Sequence, residues 1–338
     1  MIPSGSDSVE DIDHVEQQVS TGHLPAWEQV ERLTVEAHDR YRHLDDGQVA
    51  DYIPLLAEAD PASFGISVAE VDGATHDVGD SGHPFSIQSI SKAFVYALVC
   101  HSRGHRIVKG RVGVNNTGLP FNSVMAIELN DGHPMNPMVN AGAIATTALM
   151  PGTDNAEKWE SIRTGLSAFA GRRLEVDDEV YASEMATNVR NRAIAQLLQS
   201  YGRLDGDPVE TVDVYTRQCA LMVTTHDLSV MGATLADGGV NPVTGEQVIP
   251  AAVCRDTLSM LAASGMYERS GEWLFEIGIP AKSGVAGGIV AIAPGKCAIG
   301  AFSPRLDPAG NSVRGRCAIA HLSRALGLNV FASRAESQ

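Results

Sequence analysis

Strand-like segments lie near both ends of the 338-residue chain, and a long stretch with helical spacing separates them. Asp72-Gly73 and Pro294-Gly295 are dipeptides typical of turns, and each of them joins two short strand-like runs. The runs are residues 66–71 and 74–78 at one end and residues 287–293 and 296–302 at the other. Residues 93–265 are mainly helical in pattern. Because strands from the two ends can pair, we predict an α+β fold with one antiparallel sheet and a mainly helical lobe.

Amphipathic helices are predicted outside these strands, near each end of the chain. Pro25 suits a first helical turn, and apolar residues then recur at helical spacing as far as Leu44. Gly47 and the two aspartates before it end that helix. Residues 313–326 read as a last helix, ended by Gly327. We expect these two terminal helices to flank the sheet.

The pattern also predicts how the chain is divided. Residues 1–22 are polar and acidic, which is typical of a disordered tail, and residues 334–338 form a short second tail. One domain is expected between the tails, at 23–333. Its sheet lobe comprises about 23–88 and 266–333, and its helical lobe comprises about 89–265.

The formal net charge of −16 argues against a nucleic-acid partner and against an anionic membrane surface, because both would repel the protein. The first residues lack the basic start and apolar stretch of an export signal, and no charge-free run of about 20 apolar residues could span a bilayer. We therefore expect a cytoplasmic protein with a small-molecule substrate. The five cysteines and the histidines lack metal-ligand spacing, so no metal is expected.

Ser89-Ile90-Ser91-Lys92 is the pattern with the clearest chemical meaning. Residues three apart on a helix share a face, so a hydroxyl would lie beside an amine near the first turn of the helix. Lys92 can act as a base near neutral pH only if burial or a nearby positive charge lowers its pKa from about 10.4. An incidental serine and lysine at the start of a surface helix would give the same short pattern.

Three further segments carry polar groups that could line a pocket. Asn140 precedes a run of small residues that reads as a helix start, where its amide could either cap the helix or hold a ligand. Glu184 and Asn191 are seven residues apart, two turns of a helix, although a solvated polar face would look the same. The Gly-rich residues 281–288 could offer backbone N–H groups to an oxyanion, or could form an ordinary turn.

Together these segments resemble the serine-dependent glutaminases, whose fold is that of β-lactamases and penicillin-binding proteins. The resemblance runs from about residue 27 to residue 331. It includes residues 51–57, 85–92, 136–144, 181–192, 214–219, 265–267, 280–288 and 303–307.

The resemblance implies a role for each matching residue. Ser89 would be the nucleophile and Lys92 its activating partner, and the backbone N–H groups of Ser89 and Val285 would form the oxyanion hole. Tyr215 and Tyr267 would stand near the reacting amide, with Tyr267 delivering a proton to ammonia. The residues implied to hold the amino-acid end of the substrate are Tyr52, Asn140, Glu184 and Asn191. The family needs no cofactor, and its members are commonly dimers or tetramers.

The resulting hypothesis is hydrolysis of L-glutamine to L-glutamate and ammonia through a Ser89 acyl-enzyme. A β-lactam- or D,D-peptidase-like serine hydrolase is the first alternative, and it would act outside the cytoplasm. A glutamine-binding protein without turnover is the second alternative.

Overall fold

The computed structural model of the chain describes residues 23–51 and 53–333. Three predictions therefore lie outside the described residues: the N-terminal tail at 1–22, the substrate-binding role of Tyr52, and the short tail at 334–338. The boundaries of the two lobes stay a prediction.

One five-stranded antiparallel sheet joins the two ends of the chain in the order β2-β1-β7-β6-β5. Residues distant in sequence pair at its centre, where Val68 of β1 lies opposite Ile299 of β7. A second sheet pairs only β3 and β4. The strands are β1 (Gly65–Glu70), β2 (Thr75–Gly79), β3 (Phe85–Ser86), β4 (Met222–Val223), β5 (Ala281–Ser283), β6 (Gly288–Ala293) and β7 (Cys297–Phe302).

Most of the chain between β3 and β5 is helical. The helices are α1 (Trp27–Tyr41), α2 (Ser91–Arg103), α3 (His105–Val112), α4 (Met125–Glu128), α5 (Asn140–Ala148), α6 (Asn155–Ala170), α7 (Asp178–Thr187), α8 (Val189–Ser200), α9 (Pro208–Cys219), α10 (Thr225–Ala236), α11 (Ala251–Ser264), α12 (Ser270–Glu276) and α13 (Val313–Ala325). The predicted combination of one antiparallel sheet with terminal helices and a helical region is thus present, and the α+β class is confirmed.

The sheet lies between two apolar layers. Side chains of α1 and α13 pack on one face, while α10 of the helical region packs on the other. The approach of α10 is close: a Cβ built on Gly232 would lie 2.6 Å from Cβ of Ala298 in β7. A hydrogen bond of 2.8 Å between the hydroxyls of Ser67 and Ser229 joins β1 to the same helix. The helical region is therefore fixed directly to the centre of the sheet.

Two predicted elements differ in detail from those observed. Helix α1 begins at Trp27, after Pro25, and ends at Tyr41 rather than at Leu44. The carbonyl of Leu44 instead accepts a hydrogen bond of 2.6 Å from Nε of Arg314 in α13, so a tertiary contact takes the chain out of the helix. The short strand β5 lies where the sequence predicted a turn, because it pairs with β6.

No helix among the described residues is long and apolar enough to cross a membrane. The five cysteines, all within the described part of the chain, are buried.

Candidate active site

A cavity of about 460 Å³ opens where the start of α2 meets the β5–β6 turn and helices α5, α7, α8 and α9. This volume suits a small metabolite. Six residues predicted from the sequence line it: Ser89, Asn140, Glu184, Asn191, Tyr215 and Val285. The chain thus brings together side chains that are nearly 200 positions apart in sequence.

Ser89 lies in a 3₁₀ turn, Gln88–Ile90, that leads directly into α2. The first N–H groups of such a turn have no partner within the helix, and the N-terminus of the helix therefore carries a partial positive charge. Two contacts fix the turn: β3 pairs with β4, and the N–H of Ile87 donates to the carbonyl of Leu221 at 2.8 Å. Gln88 adopts a positive φ of 49°, which is strained for a residue with a side chain. The candidate nucleophile, Ser89, is therefore held rigidly at the N-terminus of α2.

Lys92 is buried one turn beyond Ser89, with 1% of its surface exposed. Its Nζ donates to Oδ1 of Asn140 at 2.6 Å and to the carbonyl of Met138 at 3.2 Å. Both acceptors are neutral, so neither stabilises the charged amine as a carboxylate would. Burial lowers the pKa of Lys92 to about 8. The amine is thus available as a base near neutral pH. From the sequence, a lowered pKa of Lys92 could be required, but the burial that lowers it could not be predicted.

Asn140 links the amine of Lys92 to a second helix. It is the first residue of α5, whose N-cap is Val139, and its side chain does not cap the helix. Its amide accepts from Lys92 and donates through Nδ2 to Oδ1 of Asn191, at 2.9 Å. The alternative of a capping asparagine is therefore wrong for this side chain. Asn140 and Asn191 form one amide pair at the cavity wall.

Glu184 and Asn191 lie on two helices, not on one. Helix α7 ends at Thr187 and α8 begins at Val189, so the predicted alignment over two continuous helical turns is wrong, although both residues line the cavity. Oε1 of Glu184 accepts a hydrogen bond of 2.5 Å from Nε2 of Gln88. Burial raises the pKa of Glu184 to about 7, and the hydrogen bond from Gln88 opposes that rise. This carboxylate would be stabilised by a cation in the cavity.

Two buried tyrosines stand beside Ser89. Tyr267 has a positive φ of 57°, and its hydroxyl donates to the carbonyl of Ser283 at 3.1 Å. Burial raises the pKa of its phenol, while a hydrogen bond with the Ser89 side chain opposes the rise. Tyr215, on α9, lies in the cavity wall, and burial likewise raises its pKa well above the usual value. Both phenols therefore keep their protons near neutral pH and can donate hydrogen bonds.

Val285 belongs to the turn between β5 and β6, which packs against the Ser89 turn. A Cβ built on Gly284 would lie 3.0 Å from the carbonyl oxygen of Ile87 and 3.2 Å from Cγ1 of Ile90. A glycine at this position lets the two backbones approach each other. The turn thus brings Val285 to the cavity wall beside Ser89.

Three more side chains shape this region, and of these Lys282 lies in a segment that the sequence pointed to, residues 281–288. Gln88 holds Glu184, Phe121 lies in the cavity wall with its ring 4.7 Å from that of Tyr267, and Lys282 is buried against the same tyrosine. The position of Gln88, directly before the Ser-x-x-Lys pattern, is the sequence signal that could have identified it. Phe121 lies in an irregular segment without periodicity, so its sequence offers no comparable signal.

The glutaminase family model matches residues 47–331 of the chain, which include each of these cavity residues. The chain belongs to the glutaminase family. "Glutaminase 2" of Yersinia pestis is 50% identical over 315 residues, which are 93% of this chain and 93% of that protein. "Glutaminase" of Mycobacterium ulcerans is 49% identical over 302 residues, covering 89% of this chain and 94% of the relative. The predicted family and the prediction of an enzyme are confirmed.

Solved structures of glutaminases share the fold. The structure named "Probable glutaminase ybaS" has a TM-score of 0.90 at 43% identity, covering 91% of this chain and all of that one. The structure of "Mglu in its glutamate form" has a TM-score of 0.86 at 43% identity and covers 90% of this chain and 70% of that one. The β-lactamase-like architecture predicted from the resemblance is therefore the architecture of this glutaminase.

Proposed function

We propose that the chain hydrolyses L-glutamine to L-glutamate and ammonia through a γ-glutamyl ester of Ser89. The observation that carries the proposal is the placement of a buried amine with a lowered pKa and a partly buried carboxylate near one serine. Lys92 lies one turn beyond Ser89 and contacts Asn140, and Glu184 contacts Gln88, the neighbour of Ser89. The family membership and the "glutamate form" of a structural relative point to the same substrate.

The carboxylate of Glu184 is the proposed partner of the α-ammonium group. A substrate cation would restore the electrostatic stabilisation that the carboxylate loses on burial. The amide pair of Asn140 and Asn191, together with Tyr52, would hold the α-carboxylate. These contacts leave the side-chain amide of glutamine directed at Ser89.

The proposed acylation step begins with the neutral amine of Lys92. A neutral amine has two N–H bonds, and both are used in donating to Met138 and Asn140. Its lone pair is left to accept the proton of Ser89 as Oγ attacks the δ-carbon of glutamine. The N–H groups of Ser89 and Val285 would stabilise the tetrahedral oxyanion.

Breakdown of the tetrahedral intermediate cleaves the C–N bond and forms the ester. The leaving nitrogen takes its proton from the phenol of Tyr267, and the proton that Lys92 removed from Ser89 replaces it on the phenol, so ammonia departs neutral. Water then attacks the ester, giving glutamate and free Ser89. The atoms balance as glutamine plus water to glutamate plus ammonia.

Replacement of the nucleophile tests this assignment. Ser89→Ala should lower the rate of ammonia release from glutamine by about 10³-fold or more, because the covalent route is lost. Ser102→Ala is a matched control on α2, the helix that follows Ser89; its hydroxyl donates to the carbonyl of Val99, and the variant should keep wild-type activity. Full activity of Ser89→Ala would contradict the nucleophile assignment.

Two other measurements separate the alternatives. Covalent labelling of Ser89 by a penicillin would favour the β-lactam- or D,D-peptidase-like hydrolase. Tight binding of glutamine without ammonia release would favour the binding protein. Comparison of glutamine with asparagine would define the substrate, since one methylene is worth only about 1–3 kcal/mol in a pocket.

A further inference from the structure

A second lysine, Lys282, is completely buried beside the active-site cavity. It belongs to β5, and none of its surface is exposed. Burial lowers the pKa of Lys282 well below its usual value, and the charge of Lys92 lowers it further. Two charged amines buried near one nucleophile would repel each other, so burial of the second lysine lowers the stability of the fold.

Two contacts of the Lys282 side chain involve Tyr267 or the acceptor of its hydroxyl. Its Nζ lies 4.3 Å from the centroid of the Tyr267 ring. The same Nζ donates at 2.7 Å to the carbonyl of Ser283, the atom that also accepts from the hydroxyl of Tyr267. The amine therefore touches both the face of the phenol and the acceptor that orients its hydroxyl.

The backbone of Tyr267 also requires support. Its φ of 57° is disfavoured for a residue with a side chain. Ser270 fixes the backbone, because its hydroxyl donates to the carbonyl of Tyr267 at 2.8 Å and accepts from the N–H of Met266 at 3.1 Å. The ring is held separately, by Phe121 and by Lys282.

We propose that Lys282 is a positioning residue that holds the phenol of Tyr267 beside Ser89 for proton delivery to the leaving ammonia. The proposal rests on the glutamine hydrolysis proposed above. Lys282 is not in the cavity wall, whereas Lys92 contacts Asn140 in that wall, so Lys92 remains the base. Since the phenol acts when the C–N bond breaks, loss of its position should slow turnover without weakening substrate binding.

Lys282→Met tests the proposal, since methionine is of similar length and lacks the N–H donors. We expect kcat for ammonia release to fall about 10- to 100-fold, as for a misplaced catalytic group, with KM unchanged. In a Tyr267→Phe background, which lacks the hydroxyl, the same change should lower kcat by less than about twofold. If Lys282→Met does not fold, Lys282→Leu, which also lacks N–H donors, gives the same comparison.

Lys296→Met is the matched control. Lys296 is also a buried lysine that donates to a carbonyl, that of Gly327 at 3.0 Å, but it lies next to the β6–β7 turn. Its replacement should leave kcat unchanged. Any of three results would overturn the role of Lys282: losses of kcat that multiply in the double variant, a change confined to KM, or wild-type kcat in Lys282→Met. Wild-type protein that releases no ammonia would instead overturn the proposed function itself.

Discussion

Two side chains of the site have pKa values near neutral, and the proposed reaction needs both of them deprotonated. Glu184 must be ionised to hold the α-ammonium, and its pKa is about 7. Lys92 must be neutral to accept the serine proton, and its pKa is about 8. We expect kcat/KM to rise with pH through both values, while kcat follows Lys92 alone, because bound substrate keeps Glu184 ionised. Steady-state kinetics between about pH 6 and 8.5 would check this.

Replacement of Glu184 separates the two titrations. Glu184→Gln should raise KM by about 10- to 100-fold, the usual value of a hydrogen bond to a charged group, and should remove the lower inflection from kcat/KM. Glu179→Gln, an exposed glutamate on the same helix, should leave the profile unchanged. A lower inflection that persists in Glu184→Gln would assign it to another group.

At this scale the sequence could predict residue types but not their environments. The spacing of Ser89 and Lys92 follows from helix geometry alone. The pKa of Lys92 depends on its burial, and the acceptors of its hydrogen bonds, Met138 and Asn140, lie 46 and 48 positions away in sequence. Gln88 was missed because its contact with Glu184 spans 96 positions and requires a positive φ that the sequence does not signal.

The turn between β5 and β6 is the element on which the proposed oxyanion hole depends. Gly287 in this turn has a φ of 108°, and a Cβ there would lie 2.4 Å from the carbonyl oxygen of Ser303. Gly287→Ala should therefore displace the turn and the N–H of Val285. Since loss of one oxyanion donor costs about 10²- to 10³-fold, we expect kcat to fall by up to about 100-fold with less stable folding. Ammonia release and thermal denaturation would measure the two effects.

Gly295 provides the control for backbone strain. It has a φ of 73° in the β6–β7 turn, and a Cβ there would have open space around it. Gly295→Ala should destabilise the fold by about 1–2 kcal/mol, the conformational cost alone, with kcat unchanged. Equal losses of kcat in the two variants would mean that the position of the β5–β6 turn does not control catalysis.

Elements with clear hydrophobic periodicity were predicted well, and short elements were not. The hairpin of β1 and β2 and the pair of β6 and β7 follow from short, mainly apolar runs on either side of turn dipeptides. Strand β5 contains only three residues, one of them the buried Lys282, so its sequence reads as polar. The break between α7 and α8 has no glycine or proline to signal it.

For the whole molecule, the proposed site lowers stability at the pH where it would work. From pH 4.5 to about 7 the unfolded chain ionises Glu184 while the folded one does not, so stability falls as pH rises. From pH 10.5 down to about 8 the unfolded chain protonates Lys92 while the folded one does not, so stability falls as pH decreases. Both groups therefore reduce the free energy of unfolding most between about pH 7 and 8.

Lys92→Met measures this cost, because methionine fills a similar space without a charge. The variant also loses the hydrogen bonds to Met138 and Asn140, which destabilises it, but by the same amount at every pH. Relative to wild type, its free energy of unfolding should therefore be higher at pH 7 than at pH 10.5, by roughly 3 kcal/mol. Urea denaturation at the two pH values gives this difference. Lys109→Met, at an exposed lysine, should show the same difference from wild type at both. A pH-independent difference for Lys92→Met would mean that the folded protein carries Lys92 charged, and the amine could not then serve as the base.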